Sequence, residues 1–141
     1  MTAATATIES TATTPVSKGK LWTARIMGGL VIAFMLMDSI FKLFPNDIVT
    51  AGTAELGYQA HHIPVMGVLG FISILLFAIQ RTQILGAILL TGYFGGAIAT
   101  HLRLDNPLFS HTLFPVYLAV LAWGSLWLRS ETLRGLIAGR K

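Results

Sequence analysis

The sequence predicts an all-α fold: a transmembrane four-helix bundle, antiparallel and up-down, with both termini on the cytoplasmic side. Three observations predict it. The 141 residues are 54% hydrophobic and only 11% charged, where a soluble globular domain carries roughly 25% charged residues. The few charges fall almost entirely in short gaps and tails, so that four long apolar runs lie between them. The basic residues are also lopsided across that alternation, as the orientation of a membrane protein requires. A soluble bundle that buries its second and fourth helices is the competing architecture, and four such runs in so short a chain argue against it.

Residues 1–20 are rich in Thr and Ala, with neither an apolar core nor a basic leader, and read as a disordered cytoplasmic tail. Residues 21–129 form the transmembrane domain. After Lys18, Lys20 and Arg25, the first span covers about 26–44, the length that a ~30 Å hydrocarbon layer demands, interrupted only by Asp38 and Lys42. Pro45 and Asn46 stop it, and a polar stretch runs through Asp47, Glu55 and Tyr58 to His61 and His62. The second span is 63–79. Gln80 to Gln83 suffices to reverse two antiparallel helices, and the third span follows at 84–102. His101, Arg103, Asp105, Asn106 and Pro107 break the pattern before the fourth span, 113–128, which interfacial flanks extend. Residues 130–141 form a basic cytoplasmic tail in which an amphipathic surface helix is expected.

Lys18, Lys20, Arg25, Arg81, Arg129, Arg134, Arg140 and Lys141 fall on one side of this alternation, and only Lys42 and Arg103 on the other. Loops rich in Lys and Arg stay in the cytoplasm, which places both ends inside a cell inner membrane. Trp22, Trp123 and Trp127 gather near the same boundary, where an indole prefers to sit.

The net charge of +4 does not point to nucleic acid, because the basic residues sit beside apolar runs and not on one wet face. The absence of cysteine excludes disulfides, thiolate metal sites and a cysteine nucleophile. No glycine-rich phosphate loop or Ser-His-Asp order is present, and no HxxxH or HxxEH metal signature occurs. No catalytic residue is legible, and the reading leans away from an enzyme.

Close helix packing in lipid depends on small residues. Ala87, Thr91, Gly95 and Ala99 repeat every fourth residue, with Gly92 and Gly96 beside them, so the third span is the expected central helix. Its smooth face serves either a homodimer contact or packing within the bundle, and the latter is the expectation.

Asp38 is costly inside a membrane helix unless paired or facing a wet cavity, and Lys42 stands at the i, i+4 spacing that lets the two pair. One reading is a structural ion pair, with Asp38 accepting from Lys42 or Arg103. The other is a polar pocket at the outer end of the bundle, formed by Asp38, Lys42, Glu55, His101 and Arg103. The four histidines, His61, His62, His101 and His111, all map to this outer side.

These residues resemble the DoxX-like family of small bacterial membrane proteins from Trp22 to about Leu136. The resemblance rests on WTARIMGGL and DSIFKLF in the first span, ELGY at Glu55 to Tyr58, GAILLTGYFGGAIATHLR at Gly86 to Arg103, and the closing residues around Trp123 to Arg129. It implies a four-helix membrane bundle and a link to respiratory or oxidative-stress redox systems, since relatives are named as subunits of quinone-linked sulfur oxidation. The expected role is a non-catalytic accessory or scaffold component of a redox or stress-response complex. The alternative is a quinone- or lipid-headgroup-binding subunit of a membrane oxidoreductase that uses the outer-side pocket. No cofactor is called for by the residues, and a quinone is the one kept open. Expected partners are the lipid bilayer, membrane redox proteins and a second copy of the chain, with no nucleic acid. A transporter or channel fits least, because the inner halves of the spans lack polar residues.

Overall fold

The computed structural model describes residues 16–139, so most of the expected N-terminal tail lies outside the described residues. The chain is all-α. Its helices are α1 (Lys18–Leu43), α2 (Asp47–Glu55), α3 (His62–Ala78), α4 (Gln83–Arg103), α5 (Phe114–Arg129) and α6 (Glu131–Ile137), with a π-helical turn at Leu108–Thr112 leading into α5. α1 packs against α3 and α5, and α4 closes the ring by packing against the same two helices. Val31, Met35, Ile74, Phe77, Leu90, Phe94, Ala122 and Leu126 fill the space they enclose.

Local chemistry explains the boundaries. The Ser17 hydroxyl caps α1 at the Lys20 N–H, so the helix begins within the segment expected to be tail and takes in Lys18 to Lys20. The polar stretch after Pro45 is largely helical. Asn46 Oδ1 accepts from the Val49 N–H at 2.9 Å and Asp47 sits in the first turn, so a cap and the helix dipole together start α2 in a segment without an apolar run. α2 ends before Gly57, whose φ of +83° suits glycine. Ser130 caps α6 through the Leu133 N–H, and this short helix lies in the expected basic tail.

Three helical segments, Lys18–Leu43, Gln83–Arg103 and Leu108–Arg129, are long and apolar enough to cross a membrane. The helix at the expected second span, α3, has 17 residues and is about 25 Å long at 1.5 Å per residue. It falls just short of a ~30 Å hydrocarbon layer.

The direction in which apolar residues point is the clearest physical signature. On α1 the buried positions are Ala24, Gly28, Val31, Met35 and Ser39, whereas Trp22, Ile26, Leu30, Met37 and Phe41 are exposed. On α3, Gly67, Gly70 and Ser73 face inward while Val65, Val68, Leu69, Ile72 and Leu75 face out. A helix in water shows the opposite arrangement, an apolar stripe within and a polar face without. These helices are apolar all round: large residues such as Met35, Ile74 and Phe77 also lie inside, but the outward faces are no more polar than the inward ones, the pattern of a protein solvated by lipid.

Helices approach closely at three glycines, against backbone at Gly86 and Gly67 and against a side chain at Gly70. A Cβ on Gly86 would collide with the backbone of Phe77, one on Gly67 would lie 2.9 Å from the Leu43 nitrogen, and one on Gly70 would lie 2.6 Å from Ser39 Oγ. The small-residue face expected to pack within the bundle differs. Ala87 is buried, but Thr91, Gly92, Gly95, Gly96 and Ala99 are exposed, and nothing in the chain lies within 4 Å of a Cβ placed on Gly92, Gly95 or Gly96. The reason is helical phase: Gly86, Ala87, Leu90 and Phe94 turn to the core, which carries the four-residue repeat around to the outside.

Candidate functional site

At the C-terminal end of α1, Lys42 Nζ donates to both carboxylate oxygens of Asp38 at 2.6 Å. The i, i+4 spacing puts both groups on one face of the helix. Across the gap, the Tyr93 hydroxyl of α4 lies 3.2 Å from Lys42 Nζ and donates to Asp38 Oδ2 at 3.3 Å. The Asp38 and Lys42 side chains are only 26% and 19% exposed, so each ion relies on the other and on the tyrosine for the hydration it lacks. Pairing makes the cluster electrically neutral.

This cluster forms one wall of a cavity of about 580 Å³ enclosed by all four long helices, a volume in the range of small-molecule sites. α1 contributes Phe34 and Met35 besides the ion pair, α3 contributes Met66, Leu69 and Ser73, and α4 contributes Gly92, Gly96, Thr100 and His101. Phe114 of α5 meets Phe34 edge-on at 5.1 Å. The lining is mainly apolar, and apart from Ser73 its polar groups gather toward the Asp38–Lys42 end.

Thr53, Leu56 and Tyr58 roof that end. Two side-chain bonds tie the roof to α4: the Tyr58 hydroxyl meets Thr100 Oγ1 at 2.7 Å, and Arg103 Nη2 donates to the Leu56 carbonyl at 2.9 Å. Arg103 packs against Gly57, where a Cβ would lie 3.0 Å from its guanidinium.

Of the five residues expected to form an outer pocket, Asp38, Lys42 and His101 line the cavity, whereas Glu55 and Arg103 do not. Glu55 is exposed at the end of α2. Arg103, expected as a second donor to Asp38, instead holds the roof, because the α4 terminus aims it at the carbonyl left free where α2 ends. His101 Nδ1 pairs with the Asn106 side-chain amide at 2.9 Å, and its ring meets His111 edge-on at 5.7 Å. His61 and His62 lie against each other with ring centroids 4.0 Å apart and the rings tilted by 53°. Among the described residues no three of His, Cys, Asp and Glu converge as a metal site would require.

Tyr93, Thr100 and Tyr58 escape the sequence reading. Tyr93 carries the usable signal: a phenol inside an otherwise apolar membrane helix needs a hydrogen-bond partner, and Asp38 was already in view.

A family model matches residues 26–125, and its description is the DoxX-like family. The matched stretch carries every cavity-lining side chain named above. Neither a curated protein nor a solved structure matches the chain.

Proposed function

The chain belongs to the DoxX-like family, and we propose from that premise that it is an integral membrane protein whose outer-half chamber binds a neutral amphiphile, with a quinone as the leading chemistry. Four membrane spans, α1, α3, α4 and α5, form an antiparallel bundle in this reading, with both termini cytoplasmic. Its single spans carry apolar side chains outward, and the basic residues favour the side that holds both termini. The short α3 is accommodated between its longer neighbours by local thinning of the bilayer.

The observation that carries the binding reading is the neutral Asp38–Lys42–Tyr93 cluster on the wall of a mainly apolar chamber. A net-neutral polar end disfavours an anionic headgroup, whose charge would be desolvated without a compensating cation. It suits a carbonyl, which can accept from Lys42 or Tyr93, or a hydroxyl, which can also donate to Asp38. The same three groups can hand a proton to or from a bound carbonyl oxygen, which makes the chamber compatible with quinone chemistry run by a partner that supplies electrons.

The test is equilibrium binding of a decyl-substituted benzoquinone to protein in lipid nanodiscs, beside folded Asp38→Asn and His101→Ala variants. Saturable binding to the wild type and its loss in Asp38→Asn are expected. A wild type that does not bind contradicts the reading.

A second role, non-catalytic accessory or scaffold in a redox or stress-response complex of the inner membrane, is favoured by the outward small-residue face of α4, which leaves backbone open to another helix. Crosslinking from Gly95→Cys at native expression tests it: a partner chain captured there supports this role, and a bare monomer opposes it. Because the chain has no native cysteine, single cysteines at Arg81 and Ser110 also read the orientation, with labelling expected from the cytoplasmic and outer sides respectively.

A further inference from the structure

We propose that the chamber is loaded sideways from the bilayer, through a gap between α3 and α4, and that its ligand therefore carries a long hydrocarbon tail that lies in this gap. The inference rests on the binding reading above and adds the route and the ligand class.

Four observations lead to it. The water-facing end is closed: Thr53, Leu56 and Tyr58 cover it, and the Tyr58–Thr100 and Arg103–Leu56 bonds hold them down. The inner end is closed too, since α3 and α4 touch backbone to backbone at Phe77 and Gly86. Between these ends the two helices meet through a side chain, Tyr93 of α4 standing 3.6 Å from a Cβ placed on Gly70 of α3. Leu69 on α3 and Leu89, Gly92 and Gly96 on α4 line the cavity and are themselves exposed, which marks this side as its opening. Finally, Cβ positions on Gly92 and Gly96 meet nothing within 4 Å, which leaves a slot floored by backbone.

A slot bordered by leucines and glycine backbone offers a hydrocarbon chain contact along its length and offers a polar solute nothing. A molecule dissolved in the bilayer reaches the slot by lateral diffusion without crossing the roof. Its head then meets Asp38, Lys42 and Tyr93 at the outer end, and its tail remains between α3 and α4, partly in lipid. A water-soluble ligand would instead have to break both roof bonds before entering.

The experiment follows association of two labelled probes by scintillation proximity on protein in nanodiscs: the decyl-substituted benzoquinone and its methyl counterpart, which has the same head and no tail. Gly92→Leu with Gly96→Leu places side chains in the slot where no described atom lies within 4 Å of either Cβ, and thermal unfolding checks that the variant is folded. This variant is expected to slow association of both probes by about tenfold, because both heads pass the slot, and to weaken equilibrium binding of the decyl probe more than that of the methyl probe, because only the former leaves a tail there. Gly95→Leu, on the same small-residue face but outside the cavity lining, is expected to change neither. If the double variant binds the decyl probe at the wild-type rate while Asp38→Asn abolishes binding, lateral loading is overturned and the binding reading stands. Wild-type association of both probes in the double variant, with faster entry of both on Tyr58→Phe, assigns entry to the roof and also overturns it, and equal weakening of both probes at equilibrium overturns the placement of the tail. If the wild type binds neither probe, the binding reading and this inference fall together.

Discussion

The two halves of the bundle, an inner one that holds both chain ends and an outer one that holds the Asp38–Lys42 pair, are built differently. In the inner half, side chains are small where helices meet and backbones touch: Gly86 lies on Phe77, and a Cβ on Gly28 would sit 3.3 Å from Ser125 Oγ. In the outer half α1 and α3 still touch, at Leu43 and Gly67, but the bundle surrounds about 580 Å³ of space and carries an ion pair on its wall. Burial of charge is costly and empty volume forfeits dispersion contacts, so the outer half is the less stable arrangement. The tight inner half holds the helices together well enough to tolerate it, which teaches where the chain keeps its fold and where it keeps its site.

That contrast breaks most visibly at Gly86. Gly86→Leu is expected to destabilise the protein by more than about 3 kcal/mol, because the new side chain meets the Phe77 backbone and not a movable side chain. Thermal unfolding in detergent reads it. If Gly86→Leu unfolds no earlier than Gly92→Leu, the inner half is not the anchor.

Next in size is the ion pair. Asp38→Ala strands Lys42 in a largely buried position and is expected to cost about 3 kcal/mol, while Asp38→Ala with Lys42→Met recovers most of that loss. A double-mutant cycle by the same unfolding assay measures the coupling. Equal and additive losses would mean that the two groups do not depend on one another.

Smaller still is the roof. Tyr58→Phe removes the bond to Thr100 and is expected to cost about 1 kcal/mol locally. Amides of α2 should exchange with deuterium faster while those of inner α4 remain protected. Uniform acceleration across both would show that roof and anchor open as one unit.

The smallest effect is expected at Gly95, where Gly95→Ala meets open space and gains up to ~1 kcal/mol from helix propensity. A clear loss of stability there would reveal a neighbour packed on this face in the membrane.

The four apolar runs were legible because apolar length alone marks them, and α3, α4 and α5 begin and end within about two residues of the expected spans. α2 was hidden because its nine residues carry no apolar period and its start rests on the Asn46 cap alone. The Asp38–Lys42 contact could be read from i, i+4 spacing. Tyr93 could not be brought to it without knowing how α4 is rotated against α1, since that rotation is fixed by tertiary packing at Gly70 and Gly86. The same unknown rotation turned the expected packing face of α4 outward. Arg103 was misdirected for a further reason: the free carbonyl it binds exists only because α2 ends at that place.

The most direct test of the chamber as a binding site is to extract what copurifies with the protein from its native membrane and identify it by mass spectrometry, comparing wild type with Asp38→Asn. A neutral, long-tailed species at near-equal molar ratio in the wild type, lost from the folded variant, is the predicted result. Recovery of the same lipids from both proteins, or of anionic phospholipid alone, would contradict it.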